Sequence, residues 1–164
     1  MPSASGHRAK DVVAWILEER TLEGRLRRIR AFLENEGYRL PPPPKNVDRR
    51  EEGAIHFVYG MPHTVAYAIV DREGRKIYHY REREIDHIII QRIAKGDEWM
   101  VEYISRLPRI LQEGRLVARK EGKIIYQSRR KYLHPEIGIY VPLRAIVKQG
   151  NAGQWYIDTL YPVY

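Results

Sequence analysis

The chain has 164 residues, 43% of them hydrophobic, which allows one ordinary domain or a compact domain with a helical extension, but not two large domains. The absence of cysteine excludes disulfides and thiolate sites, and without an apolar leader or a membrane-length run we expect a soluble, cytoplasmic protein with no membrane partner. The formal net charge of +8 and the pI of about 9.7 favour polyanionic partners, because neutralising phosphates releases condensed counterions.

The first predicted elements are helical. Between residues 10 and 37, apolar residues recur at helical spacing among Arg and Glu, which fits one long helix or two short ones. Thr21 is a candidate N-cap for a second helix, and Gly37 is a candidate stop. The prolines at 41–44 then impose an extended segment that cannot be helical. We therefore predict an N-terminal helical segment over residues 1–40.

Three short runs rich in β-branched and aromatic residues come next. Turn signals separate them, which predicts a three-stranded meander. Such a meander needs a helix or another sheet against one face, and the N-terminal helices are candidates for that role. With the Pro-rich linker it forms the second predicted segment, residues 41–80. The three runs are residues 54–60, 64–70 and 76–80.

Residues 81–164 are predicted to form an α+β domain. Helical spacing indicates one helix from Glu82 to about Lys95 and another from Asp97 to Gly114, with Pro108 kinking or splitting the second. Four strand-like runs with short connections favour an antiparallel meander that has both helices on one face. The four runs are residues 115–119, 123–129, 137–148 and 154–161.

The predicted fold class is therefore α+β, with N-terminal helices and a small β-meander followed by two helices packed on a four-stranded antiparallel sheet. Pro142 cannot donate to a strand ladder, so the third strand of that sheet must bulge there or begin after it. Residues 130–136 form the longest connection between the four runs.

The predicted hairpin region 115–131 is the most strongly charged stretch of the chain. It holds seven cations against a single acid, Glu121, and Tyr126 and Tyr132 lie among or beside them. Cations neutralise phosphates and aromatic rings stack on bases, so this composition is typical of nucleic-acid contact, with a solvated basic surface as the alternative. The predicted RNA-binding residues are Arg115, Arg119, Lys120, Lys123, Arg130, Lys131, Tyr132 and His134.

Other chemistries have little support in the sequence. The six histidines do not pair at metal-ligand spacing, and glycine-rich phosphate loops and a Gly-x-Ser-x-Gly motif are missing, so we predict no metal and no cofactor. His56, His63 and His79 lie on or beside the meander strands, where packing or surface roles are the ordinary expectation. Metal-free acid–base chemistry on a phosphodiester remains. The candidate proton carriers and cations are His87, His134, Tyr126, Arg92, Arg129, Arg130 and Lys131.

The order of elements and two short motifs in the C-terminal half form a recognisable pattern. Two predicted helices precede four predicted antiparallel strands. Ile85-Asp86-His87-Ile88 lies on the first helix, and residues 111–116 lead into the sheet. Residues 155–162, at the end of the last strand, contain a closing Thr-x-Tyr element. This pattern resembles the barnase, EndoU, colicin-nuclease and RelE superfamily, in particular its phage and polymorphic-toxin branch, over about half of the chain.

The resemblance implies a metal-independent endoribonuclease that cleaves RNA by transesterification to a 2′,3′-cyclic phosphate. It also implies an antitoxin or immunity protein as a second partner. The positions that match the family's catalytic cleft are His87, Arg92, Tyr126, Arg129 and Thr159, with Ser128 and Tyr161 beside them.

Two other functions fit the same sequence. A non-catalytic module would hold RNA or DNA on the same sheet and hairpin without cutting it. A phage structural or assembly protein would use the helices and the Pro-rich segment for assembly, and its positive charge only for solubility.

Overall fold

The computed structural model describes residues 8–164, so residues 1–7 of the predicted N-terminal segment lie outside the described residues. Two helices begin the fold, α1 (Ala9–Leu17) and α2 (Leu22–Glu36). The predicted break and stop are both confirmed. The Thr21 hydroxyl accepts a hydrogen bond from the Gly24 N–H at 3.0 Å, and Gly37 ends α2 in a left-handed conformation with a φ of 88°.

The predicted meander is also present. Strands β1 (Ile55–Val58), β2 (Met61–Val70) and β3 (Lys76–Tyr80) pair with one another in sequence order, and both pairings are antiparallel. The Asp71 carboxylate accepts hydrogen bonds from the backbone N–H groups of Glu73 and Arg75, which fixes the turn between β2 and β3.

The helical region between β3 and the C-terminal strands is more broken than the spacing of apolar residues indicated. A π-helical segment interrupts the first predicted helix, and the second divides into a 3-10 segment and an α-helix. Pro108 lies in the first turn of that α-helix, where its missing N–H costs no hydrogen bond. Within residues 8–164, no helix is both long and apolar enough to cross a membrane. The segments are α3 (Arg81–Arg83), the π segment (Glu84–Ile89), α4 (Ile90–Ala94), the 3-10 segment (Glu98–Arg106) and α5 (Leu107–Glu113).

Six strands follow instead of four, because Pro142 divides the third predicted run and the predicted loop 130–136 contains one further short strand. The part before Pro142 pairs with a short strand in the predicted loop to form a separate two-stranded hairpin, and the main strand begins directly after it. The strands are β4 (Arg115–Lys120), β5 (Lys123–Gln127), β6 (Tyr132–His134), β7 (Ile139–Val141), β8 (Leu143–Gln149) and β9 (Trp155–Pro162).

The sheet is larger than the predicted four-stranded one. Strands β4, β5, β8 and β9 are antiparallel neighbours in the predicted order, but β9 also pairs in parallel with β3, through Ile77 opposite Trp155 and Tyr78 opposite Tyr156. The result is one mixed sheet of seven strands in the order β1-β2-β3-β9-β8-β5-β4. A parallel pair needs no turn between its strands, so the sequence carries no local signal for it.

One hydrophobic core contains residues from all three predicted segments. Strand residues such as Ile77, Val147 and Ile157 share it with Leu111 of α5 and Phe32 of α2, and all five are fully buried. Each side chain of this kind contributes about 1.5–3 kcal/mol through burial. Alternate residues of β5 and β8 are buried on the helical face and only partly buried on the other, so the helices cover one face of this part of the sheet.

Glu98, at the start of the 3-10 segment, is a buried carboxyl group. Only 5% of the residue is exposed, and its Oε2 has no hydrogen-bond partner among the described residues 8–164. Burial raises the pKa of Glu98 from 4.5 to about 7, and the nearby carboxylates of Glu136, Glu36 and Asp97 add to the rise. Because the folded pKa lies above the unfolded one, the associated stability is fully present below pH 4.5 and is lost as the pH rises through about 7.

Replacing Glu98 by Gln should remove the contribution of Glu98 to the pH dependence of the free energy of unfolding. In the wild-type protein the group should lower the free energy of unfolding by on the order of 2 kcal/mol between about pH 5 and about pH 8. Urea denaturation across that range should therefore show Glu98→Gln gaining stability relative to wild type as the pH rises. Glu102→Gln, which changes an exposed acid of the same segment, should keep the wild-type profile. A difference in the free energy of unfolding between wild type and Glu98→Gln that does not change with pH would contradict a neutral, buried Glu98 carboxyl group.

Candidate nucleic-acid interface

The face of the sheet opposite the helices carries rows of basic side chains. Lys120 lies opposite Lys123, and Lys123 lies opposite Lys148 on the next strand. A second row runs from Arg115 through Gln127 and Arg144 to Tyr161, and a third joins Ile125, Ile146 and Thr159. Residues directly opposite one another project from the same face. We call this surface the basic face and define it by Arg115, Lys120, Lys123, Ile125, Gln127, Arg144, Ile146, Lys148, Thr159 and Tyr161.

Most of the positive charge on the basic face is uncompensated. Within residues 8–164, only Lys148 of its five cations forms an ion pair, with its Nζ 3.3 Å from the Asp158 carboxylate, and that carboxylate also pairs with Arg83. The Arg144 Nε donates to the Gln127 amide oxygen at 2.8 Å. Like charges directly opposite on neighbouring strands destabilise a sheet, so the row through Lys123 is an electrostatic cost to the fold. A bound polyanion would remove that cost.

The helical region that follows β3 brings His87 to the edge of the basic face. The Thr159 hydroxyl donates to the His87 carbonyl at 3.2 Å, and the Arg83 guanidinium lies 5.0 Å from the centre of the Tyr156 ring. The His87 side chain is exposed to solvent on one side. Partial burial lowers the pKa of His87 below 6.5, and the positive charge of Arg83 lowers it further, so the neutral imidazole is favoured at neutral pH.

Tyr126 lies on the other face of the sheet. It is fully buried, and its hydroxyl donates to the Asp71 Oδ2 at 2.5 Å, while Arg75 also donates to that carboxylate at 2.6 Å. Burial and the Asp71 carboxylate both raise the pKa of Tyr126 above 10.0. The tyrosine therefore anchors β5 to the turn between β2 and β3, where a bound RNA has no access to it.

Three further predicted site residues are also buried. Arg92 is 8% exposed, and its guanidinium lies 3.7 Å from the Asp97 carboxylate. The His134 ring packs 4.6 Å from the Trp99 ring, and its Nδ1 accepts a hydrogen bond from the Glu136 N–H at 3.3 Å. Tyr132 packs against Tyr103, with 4.8 Å between ring centres. These contacts are those of core residues.

The remaining predicted cations face the helices or the loop after β5. Arg119 lies opposite the buried Ile124, so it projects to the helical face, where it pairs with Glu73. The Arg129 Nε donates to the Glu113 carbonyl at the end of α5 at 2.7 Å, and Arg130 lies in the same small depression. Lys131 is exposed in the loop that follows. Of the predicted RNA-binding residues, Arg115, Lys120 and Lys123 belong to the basic face.

The predicted catalytic set is therefore divided. His87 and Thr159 meet at the edge of the basic face, whereas Arg129 lies against α5, and Tyr126 and Arg92 are buried elsewhere. The sequence reasoning missed Gln127, Arg144 and Lys148 of the basic face, as well as Arg83 beside it. Arg144 and Lys148 are four residues apart in a predicted strand, and this even separation places both on one face, which was the signal that would have found these two.

Neither a family model, nor a curated protein, nor a solved structure matches the chain. Within residues 8–164, no three His, Asp or Glu side chains cluster in a way that would hold a metal ion. The function must therefore be argued from the geometry of the basic face and of the residues at its edge.

A substitution at Tyr126 separates a structural role from a functional one. Tyr126→Phe removes a buried hydrogen bond to a charged carboxylate and should lower the free energy of unfolding by about 2 kcal/mol in urea denaturation. Tyr132→Phe is the matched control, because the buried Tyr132 hydroxyl has no hydrogen-bond partner in the described part of the chain, and its removal should cost less than about 0.5 kcal/mol. Equal stability of the two variants would show that the Asp71 contact does not anchor β5.

Proposed function

We propose that the protein binds RNA as an extended single strand along the basic face. The observation that carries this proposal is the row Lys120, Lys123 and Lys148, in which like charges oppose one another on three adjacent strands and only Lys148 has a carboxylate partner within residues 8–164. Neighbouring strands are about 4.8 Å apart, so the row presents three ammonium groups across about 10 Å. A phosphate backbone matches such a row in charge.

The second row of the basic face provides groups for the bases and sugars. Tyr161 offers an aromatic ring of the kind on which unpaired bases stack, and Gln127 offers an amide that both donates and accepts hydrogen bonds. The hydroxyls of Tyr161 and of Thr159 in the neighbouring third row are suited to the ribose 2′-hydroxyl, which distinguishes RNA from DNA. A broad sheet surface does not enter the deep groove of an RNA duplex, so a single strand is the better fit.

Two double substitutions of equal charge test which surface binds RNA. Lys123→Gln/Arg144→Gln removes two cations from the basic face, and Arg129→Gln/Arg130→Gln removes two from the vicinity of α5. In fluorescence anisotropy with a labelled single-stranded RNA, the first variant should lose at least about tenfold in affinity and about 1.4 from the slope of log K against log salt. The second variant should lose much less RNA affinity, and its salt slope should change much less.

The contrary outcomes are equally distinct. Equal losses in the two variants would mean that binding follows net charge and has no defined surface. A larger loss in Arg129→Gln/Arg130→Gln would move the binding surface to the side of α5. A wild-type protein that binds no RNA at low salt would end the proposal.

Cleavage of the bound RNA is the second candidate function, and the resemblance to the barnase, EndoU, colicin-nuclease and RelE superfamily implies it. The specific observation in its favour is the exposed, neutral His87 beside the basic face, with Arg83 and Thr159 close to it. A neutral imidazole can take the proton of a ribose 2′-hydroxyl as its oxygen attacks the phosphorus, and the resulting imidazolium can return that proton to the 5′-oxygen as the P–O5′ bond breaks. A nearby guanidinium stabilises the negative charge that develops on the phosphoryl oxygens. In this form the proposal uses His87 and Thr159 from the predicted catalytic set.

The cleavage proposal makes a separate prediction for His87. In the presence of EDTA, wild-type protein should leave 2′,3′-cyclic phosphate ends on RNA, and His87→Gln should reduce the rate by at least about 100-fold with RNA affinity retained. Gln91→Ala, an exposed change one turn further along the helix, should cleave normally. Because the pKa of His87 is lowered, the rate should rise with pH to a plateau, and the midpoint of that rise should lie below the usual 6.5. Full activity in His87→Gln would exclude this residue as the base.

A further inference from the structure

A pocket of about 370 Å³ lies between α2, the Pro-rich segment 41–44, β2 and the helical region after β3. None of the residues that define the basic face lines it, so it is a separate feature of the molecule. A pocket of this size falls within the range of small-molecule sites in proteins. The prolines form one wall, and because proline fixes its own backbone dihedral, that wall is stiff.

The inner walls of the pocket are apolar. Ile89 and Ile104 from the helical region and Leu26 and Leu40 from the N-terminal segment line it, together with the prolines. Ile89 is 1% exposed and Ile104 is 3% exposed, so their side chains belong to the core and are held in place. An apolar body that displaces water from these walls gains about 25 cal/mol for each Å² of apolar surface buried.

Tyr67 adds one polar group to this apolar wall. Only 3% of the residue is exposed, and its hydroxyl has no hydrogen-bond partner within residues 8–164. A buried hydroxyl without a partner costs about 1–3 kcal/mol, and such groups are rare in native proteins. Tyr67 is among the residues that line the pocket, so a ligand oxygen that reaches its hydroxyl would accept a hydrogen bond and remove the cost.

Three arginines surround the opening of the pocket. Arg30 comes from α2, Arg49 from the segment before β1, and Arg81 from α3. All three are exposed, and none forms an ion pair with a described residue. Of the two acids in the lining, Glu84 is held by a 3.0 Å hydrogen bond with the His79 Nε2, and Glu52 is exposed. The opening therefore favours an anion over a cation.

From these features we infer that the pocket binds a small amphipathic anion, a carboxylate or phosphate monoester with an aliphatic or aromatic body. The body lies between the proline wall and Ile104, the Tyr67 hydroxyl donates to a ligand oxygen, and the anionic group meets the arginines. Such a ligand would stabilise the folded protein and would join the N-terminal helices to the sheet.

Isothermal titration with four eight-carbon probes tests the inference. Octanoate and octyl phosphate carry the anion, whereas octanol lacks the charge and octylammonium reverses it. At least one anion should bind with a stoichiometry of one, at least about tenfold more tightly than octanol or octylammonium, and the stronger of the two anions identifies the head group. Absence of saturable anion binding, or equal binding of octylammonium, would overturn the inference.

Two variants connect that binding to this pocket. Arg30→Gln should weaken binding of the anion about tenfold, whereas Arg27→Gln, an exposed arginine of the same helix outside the pocket, should not. Tyr67→Phe should weaken it by a similar factor, yet the free variant should melt at the wild-type temperature or higher, because the lost hydroxyl has no partner. Wild-type affinity in both Arg30→Gln and Tyr67→Phe would place the binding elsewhere and overturn the assignment.

Discussion

The parallel pairing of β3 with β9 is the contact on which the rest of the structure depends. It joins two antiparallel units into one sheet and requires the chain between those strands to cross over on a single face. The helical region supplies that crossing and covers the face with Leu111, Ile88 and other core residues. The opposite face of β5 and β8 receives no such cover from residues 8–164, and it keeps its charged side chains.

Charge on the uncovered face is arranged at the expense of stability. A sheet selected only for stability would place acids opposite Lys123 and Arg144, as Asp158 is placed near Lys148. The acids of this protein stabilise other parts of the fold instead: Asp71 holds a turn and Tyr126, and Glu73 pairs with Arg119 on the helical face. This division, with compensated charge on the helical face and uncompensated charge on the other, is the main physical argument for a polyanionic partner.

Local features of the fold could be predicted from the sequence, and the assignment of side chains to faces could not. Thr21 acts through a local side-chain cap, and Gly37 and Pro142 act through their own backbone, so the effects of all three are visible in the sequence. The hairpin of β4 and β5 is different, because a register shift at Val117 places Arg115 and Lys120 on one face and Arg119 on the other. Strict alternation would have grouped Arg115 with Arg119.

In the candidate site, too, composition could be predicted from the sequence and the spatial arrangement of side chains could not. Its basic composition was visible in the sequence, but a parallel strand pairing decides that His87 meets Thr159 and not Arg129. Tyr126 and His134 have the chemistry of site residues, and only the tertiary packing shows that they are buried. Side chains of the same type that lie within a few residues of each other are thus buried in one case and exposed in another, and the sequence alone does not show which is which.

The π segment has a consequence for the helix that follows it. A π-helical turn contains one residue more than an α-helical turn, and an α-helix advances by about 100° for each residue. The wider turn therefore accommodates one additional residue without changing the rotational phase of α4. Deleting a single residue between 84 and 89 would convert this turn to an α-helical one, and Ile90 and Ile93 would keep facing the core. Homologous chains that share this sheet should therefore tolerate the loss of one residue between β3 and α4 more readily than the loss of two.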